Sequence, residues 1–235
     1  MSLLRLDKIL ANLGYGSRKE VTSLIKRGHI EIDGRVHDKP AEKFDPESCE
    51  ILFDGQVLDP LPPMTLALNK PVGLVCDNIL DQPSIYECLP FRWRMRTPGL
   101  KCAGRLDKDS RGLVILSENG SLVHKITTPR KEISKIYRIT TEAPLKQDDI
   151  TLFESGDMML KGEKKPLLPV RVIKISQTLY DLELNEGRHR QIRRMIRSRG
   201  NDVLDLKRTH VAALSLETLN LDEGAYRQIE ETQIL

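Results

Sequence analysis

The chain has few aromatic side chains, and its single tryptophan is Trp93. Aromatic residues make up only 4% of the 235 positions, which argues against a protein that binds single strands non-specifically by stacking many bases. No apolar run approaches the roughly 20 residues that cross a membrane, and the N-terminus lacks the long apolar segment of a secretory signal. We therefore expect a cytoplasmic protein that makes no membrane contact.

Cysteine and histidine are also sparse, and neither shows a spacing that indicates a bound metal or a disulfide framework. We expect four reduced thiols, no metal site and no cofactor. The cysteines are Cys49, Cys76, Cys88 and Cys102, and the histidines are His29, His37, His124, His189 and His210.

Charge is abundant but nearly balanced, with a net charge of +3. Its distribution is uneven, because residues 91–105 hold five basic residues and no acid, and residues 186–211 hold eight basic residues against three acidic ones. Acidic residues collect instead at 31–59. Two basic clusters in a chain of modest net charge favour contact with a polyanion, although a single such cluster is more often just a solvated face.

The first 60 residues predict a small α+β unit. Apolar residues at 6, 9, 10 and 13 have helical spacing, and Ser17 with Glu20 forms a capping box for a second helix. Alternation from Ile30 to Ile32 before an Asp-Gly turn predicts a hairpin, and a second Asp-Gly turn follows Phe53.

This unit resembles the S4 RNA-binding domain in Arg5-Leu6-Asp7-Lys8, in Ser17-Arg18, and in Gly28 and Val36 around the turn. In that family the two helices present basic residues to folded RNA. The resemblance therefore implies an RNA-binding face, whose candidate residues are Arg5, Lys8, Arg18, Lys19, Lys26 and Arg27.

Three prolines within Asp59–Pro63 interrupt regular structure and mark a linker. We predict an S4-type domain at 1–59, a Pro-rich linker at 60–63 and a second domain at 64–235. The pattern of the second domain predicts strands at 66–69, 113–117, 135–141, 170–175 and 179–184, and helices near 121–128 and 189–199. Without steady alternation of strand and helix, this favours an α+β fold with a mixed or antiparallel sheet.

The most informative stretch is residues 104–116, in which a loop with two acids and two arginines precedes an apolar strand. A carboxylate beside arginines on an anchored loop is a candidate held nucleophile. Asp107 and Asp109 are rivals for this role, since side chains two residues apart share a face if the loop is extended.

The stretch matches the pattern Gly-Arg-Leu-Asp-x-x-Thr/Ser-x-Gly-Leu and resembles the catalytic motif of the ribosomal RNA pseudouridine synthases. That resemblance selects Asp107 as the nucleophile and a flipped-out uridine as the substrate. Attack at C6 of the base, attack at C1′ of the sugar, and elimination to a glycal remain open. Ser110 stands where most relatives have threonine.

Residues 184–195 resemble the C-terminal motif of the same family, Glu-Gly-Arg-x-x-Gln-Ile/Val-Arg/Lys-Arg-Met. The resemblance implies that Arg193 contacts Asp107, a role that suits the planar guanidinium. The helical spacing of Arg190, Arg193, Arg194 and Arg197 predicts one continuous basic face. The remaining arginines, with Arg188, are expected to bind RNA phosphates.

Two further motifs resemble the family. In Lys135-Ile136-Tyr137 the tyrosine would stack on uracil and move a proton, and Arg105 would occupy the space left by the flipped base. Leu68-Asn69-Lys70-Pro71-Val72-Gly73 is expected to shape the pocket, with Lys70 near the RNA.

These motifs favour a monomeric rRNA pseudouridine synthase that acts on ribosomal RNA or an assembling subunit. The resemblance lies closest to small-subunit enzymes, and the same chemistry on large-subunit RNA is the alternative. A non-catalytic S4-type RNA-binding protein would also explain the basic clusters. A glycosidase is disfavoured, because its two carboxylates must lie on opposite sides of a bond at roughly 5–10 Å. Asp107 and Asp109, two residues apart on one loop, meet this requirement poorly.

Overall fold

The computed structural model describes residues 3–77, 81–128 and 133–234. These fold into two compact units. The first comprises the described residues up to Met64 together with Leu89–Lys101 and Ser117–Asn119, and the second comprises the other described residues from Thr65 onward. Along this part of the chain no helix is long and apolar enough to span a bilayer, and no cluster of three or more His, Cys, Asp or Glu residues has a metal-binding arrangement.

The secondary structure consists of many short elements. The α-helices are α1 (Leu6–Asn12), α2 (Arg18–Lys26), α3 (Phe91–Arg94), α4 (Gly120–Thr127), α5 (Gln147–Ser155), α6 (Gln191–Ser198) and α7 (Leu216–Leu219), and 3-10 helices lie at Ile85–Cys88 and Glu231–Gln233. The strands are β1 (Leu4–Arg5), β2 (Ile30–Ile32), β3 (Arg35–Val36), β4 (Lys43–Phe44), β5 (Ile51–Phe53), β6 (Gln56–Val57), β7 (Thr65–Lys70), β8 (Lys101–Ala103), β9 (Arg111–Ser117), β10 (Lys135–Thr141), β11 (Arg171–Lys174), β12 (Leu179–Leu184), β13 (Val203–Val211), β14 (Leu214–Ser215) and β15 (Tyr226–Gln228).

In the first unit, α1 and α2 share an apolar core with a four-stranded sheet of order β3-β2-β5-β6. The predicted capping box is confirmed, since Ser17 and Glu20 cap α2 reciprocally. Both Asp-Gly turns are confirmed as well, with Asp33 and Asp54 at positive φ between paired strands. The helical spacing and turn chemistry read from the sequence therefore account for this unit's local structure.

The second unit is built on a nine-stranded sheet whose main path runs β11-β12-β10-β13-β9-β7-β15. β10 pairs in antiparallel fashion with β12 and β13, whereas β13 and β9 are parallel. The predicted α+β class with a mixed sheet is confirmed. Helix α4 packs its buried Leu122 and Ile126 on apolar side chains of this sheet.

The central strand β13 was not predicted from the sequence. Its residues alternate between buried and partly exposed from Leu206 to Arg208, but charged side chains obscure the apolar period. Gly112 of β9 lies against the backbone of Arg208, where a Cβ would come within 2.2 Å of the carbonyl oxygen. Only glycine permits this approach between the strand that follows the Asp107 loop and β13.

Candidate active site

The loop that carries Asp107 runs from Gly104 to Ser110, between β8 and β9, and its backbone is tied to neighbouring segments. The Gly73 amide donates to the Lys108 carbonyl at 2.8 Å, and the Leu106 amide donates to Cys76 Sγ at 3.2 Å. Within the loop, the Ser110 amide donates to the Asp107 carbonyl at 3.1 Å. The nucleophile candidate is therefore held on a backbone that is fixed from outside the loop.

Lys70 lies beneath this loop and is fully buried. Its Nζ donates to the carbonyls of Ser110 at 2.6 Å and Pro71 at 3.0 Å. Burial lowers the pKa of Lys70, and the charges of Cys76, Asp109 and Asp107 oppose that shift. Lys70 therefore holds the end of the loop, and its amine faces backbone carbonyls instead of solvent.

A second buried cation, Arg208, connects the start of the loop to strand β9, which follows the loop. Its Nε donates to the Leu113 carbonyl and its Nη2 to the Gly104 carbonyl, both at 2.7 Å. Arg208 lies opposite Tyr137 in the β10–β13 register, and its guanidinium carbon is 6.0 Å from the centre of that ring. Burial, reinforced by the Arg208 charge, lowers the pKa of Lys135 to about 8. Sequence reasoning missed Arg208, because it counted the residue in a basic cluster.

The arginines next to the loop bind Asp109 instead of Asp107. Arg190 Nη2 lies 2.7 Å from Asp109 Oδ2, and Arg193 Nη2 donates to the Asp109 carbonyl at 2.8 Å. Arg193 Nε is 3.3 Å from the same carboxylate. Among residues 3–77, 81–128 and 133–234, no ion pair joins Arg193 to Asp107, so the predicted direct contact is wrong for this structure. The reason is geometric, since the Asp109 backbone and side chain both lie within reach of the guanidinium.

Helix α6 begins one residue later than the basic pattern requires. Arg190 precedes the helix and has φ +49°, in the left-handed region that non-glycine residues seldom adopt. The predicted continuous face of four arginines is therefore wrong. Arg190 and Arg193 contact Asp109 in the Asp107 loop, whereas Arg197 pairs with Asp202 at 2.7 Å.

Arg188 and Arg194 bind a neighbouring loop at 158–168. Both pair with Glu163, at 3.2 and 2.8 Å. Arg188 also donates to the carbonyls of Lys165 and Pro166, and Arg194 donates to the Lys161 carbonyl. These guanidinium groups, which were predicted to bind phosphate, are thus directed at protein atoms.

Buried Glu186 joins the same loop to the start of α6. Its carboxylate accepts from the Leu168 amide at 3.0 Å, from Arg188 Nε at 3.0 Å and from Gln191 Nε2 at 2.9 Å. Three donors satisfy a buried carboxylate that would otherwise be costly. The sequence analysis gave Glu186 no role, although its position at the start of the Glu-Gly-Arg motif could have indicated one.

A cavity of about 280 Å³ lies above the Asp107 loop and brings together most of the predicted site residues of the second unit. Arg194 is absent from its lining. The predicted residues that line it are Asp107, Tyr137, Arg193, Arg105, Arg188 and Arg190. The volume is near the lower end of roughly 300–1,000 Å³ for ligand pockets, which suits a small planar group.

Four arginines line the wall of this cavity, and each of them pairs with an acid. Arg105 is exposed and forms an ion pair with Asp77 at 2.5 Å, so its side chain lies at the mouth. Tyr137 is mostly buried, so its ring forms part of the wall. An apolar ring, a carboxylate and several guanidinium groups in one concave site can hold a planar base and its phosphates.

The S4-type basic residues lie in the first unit, and two of them are held by a buried acid. Asp7 accepts from Arg5 Nη2 at 2.8 Å and from Arg18 Nη2 at 3.2 Å. The hydrogen bonds from Arg5 hold the pKa of Asp7 below its usual range. Lys8, Lys19, Lys26 and Arg27 are exposed. Asp7 therefore orients two cations toward solvent, a role that sequence reasoning did not give it.

Comparison with protein families identifies both parts of the chain. Residues 4–48 match the S4 domain, and residues 64–198 match the RNA pseudouridylate synthase family. The chain belongs to the RNA pseudouridylate synthase family. It is an enzyme of that class, with an S4 RNA-binding domain at its N-terminus.

Similarity to known members extends over nearly the whole chain. The chain is 33% identical to an uncharacterized RNA pseudouridine synthase of Bacillus subtilis, with 98% of this chain and 97% of that protein covered. It is 34% identical to ribosomal small subunit pseudouridine synthase A of Escherichia coli, with 98% of each covered. A crystal structure of a pseudouridylate synthase, 32% identical, superposes with a TM-score of 0.68 and covers 98% of each chain. The similarity thus spans both the S4 domain and the catalytic region.

Proposed function

We propose that this enzyme converts one uridine of small-subunit ribosomal RNA to pseudouridine, with Asp107 as nucleophile. The observation that carries the proposal is the convergence of Asp107, Tyr137 and Arg193 on one cavity in a member of this family. Relatives of this chain named for the ribosomal small subunit, at 31–34% identity over 98% of its length, support that subunit as the target.

The proposed chemistry breaks the bond between N1 of uracil and C1′, turns the base and joins C5 to C1′. C5 loses its proton and N1 gains one, so the product is an isomer of the substrate. The target base must leave its stack to enter the cavity. Asp107 has no ion-pair partner among the described residues, so its oxygens are available to the substrate. Tyr137 provides the ring on which uracil lies, and Arg105 at the mouth fills the gap in the RNA.

The arginines would act mainly by positioning. Arg193 and Arg190 hold Asp109 and thereby the loop on which Asp107 lies. Arg188 and Arg194 hold the loop at 158–168, which flanks the same motif. We propose that Arg190 and Arg105 also meet phosphates, because their side chains are partly exposed at the arginine-lined cavity.

We further propose that the S4 domain binds ribosomal RNA or an assembling subunit through Arg5, Lys8, Arg18, Lys19 and Arg27. The proposed division along the sequence is 1–59 for this domain, 60–63 for the linker and 64–235 for the catalytic domain. A cytoplasmic location is part of the same proposal, since the partner is ribosomal RNA. The proposal also includes a monomeric state.

The test is pseudouridine mapping of ribosomal RNA from cells that lack the gene, rescued with wild type, Asp107→Asn or Asp109→Asn. We expect one small-subunit site to disappear, wild type to restore it, and Asp107→Asn to restore nothing, because an amide is not a nucleophile here. Asp109→Asn should restore it partly, since the amide oxygen still accepts from arginine.

Three outcomes would change the proposal. A lost site in large-subunit RNA would correct the target and leave the chemistry intact. Activity in Asp107→Asn with none in Asp109→Asn would transfer the nucleophile to Asp109. No lost site in either subunit would favour a binding protein or another RNA target.

A further inference from the structure

A segment from the catalytic part of the sequence folds with the S4-type unit. Leu89–Lys101 lies within the stretch matched by the pseudouridylate synthase family, yet it belongs to the first compact unit. The Thr97 amide donates to the Asn12 carbonyl at the end of α1, at 2.8 Å. The Arg92 guanidinium lies over the Tyr15 ring, 4.3 Å from its centre, and pairs with Asp59.

Two further features fix this segment. At Gly14, with φ +88°, an added Cβ would lie 2.2 Å from the Arg92 carbonyl oxygen, so the turn after α1 needs glycine for this approach. Arg96 and Glu118 form an ion pair that is almost completely buried, at 2.5 Å. A segment held by a buried ion pair and a backbone contact has a defined surface.

That surface carries apolar side chains in solvent. Phe91 is 71% exposed and Met95 is 57% exposed. They border a groove of about 1,010 Å³ whose other wall is the Gly14–Arg18 turn and α2. We call this the Phe91 groove. The Arg94 guanidinium carbon lies 6.0 Å from the Phe91 ring centre, so the ring is flanked by positive charge.

The groove is cationic as well as aromatic. Arg18 and Arg27 line the α2 side, and Arg92 lines the other. Asp59 pairs with Arg92, and Glu20 caps α2 by accepting from the Ser17 amide at 2.7 Å. The groove lining thus holds three guanidinium groups against the one carboxylate of Glu20. Arg27 forms no ion pair among the described residues, whereas Arg18 shares the Asp7 carboxylate with Arg5.

We propose that the Phe91 groove is an RNA site, in which one unpaired base stacks on Phe91 and the adjacent phosphates bind Arg18 and Arg27. Unpaired bases are recognised by stacking on aromatic rings and guanidinium planes. An apolar peptide would not need the arginines, whereas RNA supplies both a π face and phosphates. This inference rests on the proposed function, which already takes ribosomal RNA as the ligand and Arg18 and Arg27 as S4-domain contacts; it adds the base that stacks on Phe91, a residue outside the S4 match.

The experiment uses the full-length enzyme and an unmodified small-subunit rRNA transcript. Phe91→Ala should weaken binding about tenfold, since stacking on an aromatic ring contributes that order of affinity, with the single-turnover rate at saturating RNA unchanged. Phe91→Leu should weaken binding similarly, and Phe91→Trp should bind RNA as tightly as wild type. The aromatic ring face, and not the apolar area, is required. Val57→Ala, at an equally exposed apolar position in the same unit, is the matched control.

A photoreactive phenylalanine analogue at position 91, with the same analogue at position 57 as control, identifies the partner. We expect cross-links to RNA from position 91 alone.

Unchanged affinity in Phe91→Ala, together with no RNA cross-links, would overturn the proposed RNA site while conversion by wild type persists. Cross-links to a ribosomal protein in assembling subunits, with none to RNA, would assign the groove to a protein partner. Absence of any conversion by wild type would instead count against the proposed function.

Discussion

At the scale of single residues, the two neighbouring acids of the catalytic loop have separate surroundings. Asp109 binds Arg190 and Arg193, whereas no ion pair involves Asp107 among the residues that are described. A carboxylate held by two guanidinium groups is a poor nucleophile, because its lone pairs are already engaged. Asp109 therefore suits the anchoring role, in which Arg190 and Arg193 hold the loop on which Asp107 lies.

Arg208 offers a sharp test of such positioning. Arg208→Lys keeps the charge but replaces two separate donor nitrogens, Nε on the Leu113 carbonyl and Nη2 on the Gly104 carbonyl, with one amine nitrogen. At least one of these hydrogen bonds should weaken, so the start of the loop should shift relative to β9. We expect the single-turnover rate to fall on the order of 100-fold, as for about 1 Å of misplacement, with RNA affinity within about twofold of wild type. Rapid-quench conversion and filter binding measure the two quantities.

The control is Arg138→Lys, at a partly exposed arginine of β10 that pairs with Asp181 at 2.8 Å. Its rate should stay near that of wild type. Equal losses of rate in both variants would indicate a general effect of arginine replacement in the sheet, and a loss of affinity alone in Arg208→Lys would contradict the positioning role.

At the scale of elements, the arginine-rich segment before and within α6 is largely a structural clamp. Its guanidinium groups connect the helix start to Asp109 of the Asp107 loop on one side and to the loop at 158–168 on the other. Glu186 lies at the junction with three donors around its buried carboxylate. Basic residues in a motif that resembles an RNA-binding run thus assemble the cavity from within.

Replacing Glu186 should loosen this junction. In Glu186→Gln the new NH2 group faces at least one of the three groups that donate to the Glu186 carboxylate, so that group loses its acceptor. We expect a loss of roughly 2 kcal/mol of local stability from this unsatisfied buried group. Hydrogen exchange should rise at 158–168 and at the first turn of α6. Glu223→Gln, at a partly exposed acid 3.6 Å from Arg111, is the comparison variant and should leave exchange unchanged. Faster exchange across the whole second unit would instead indicate global unfolding.

At the scale of the whole molecule, the compact units are not contiguous in sequence. The first unit includes Leu89–Lys101 and Ser117–Asn119, although the Pro-rich stretch before Met64 marks a boundary in the sequence. Glu118 accepts from the Met64 amide at 2.7 Å and pairs with Arg96, whose Nη2 also donates to the Pro60 carbonyl at 2.9 Å. A chain truncated after residue 63 would therefore lack side chains that complete the first unit.

Glu118→Gln tests this dependence. Removing one charge of a buried pair destabilises by roughly 3–5 kcal/mol, because the other charge stays buried without compensation. Nη1 of Arg96 already has no hydrogen-bond partner among the described residues. Hydrogen exchange of α1 and α2 in the full-length protein should report the loss in the first unit. Glu47→Gln, at an exposed acid of that unit, should show none; protection of α1 and α2 equal to wild type in Glu118→Gln would refute the dependence.

Local patterns determined much of the fold. Apolar spacing, the Ser17–Glu20 box and the Asp-Gly turns describe interactions within a few residues, so they could be read without the tertiary structure. Family motifs likewise indicated the enzyme class and the residues that line the cavity, because the order of the motifs along the chain carries that information. Strand β13 was not predicted, since charged residues, Arg208 at a buried position among them, interrupt the apolar alternation by which a strand is recognised.

The tertiary structure alone decided which partner each charged residue takes. Guanidinium groups reach several ångströms in any direction, so spacing could not distinguish Asp107 from Asp109 as the partner of Arg193, or phosphate from Glu163 as the partner of Arg194. It also decided that Phe91 and Arg96 belong with the S4-type unit, because long-range contacts leave no periodic trace in the sequence. Local chemistry is written along the chain, whereas these pairings depend on segments that only folding brings together.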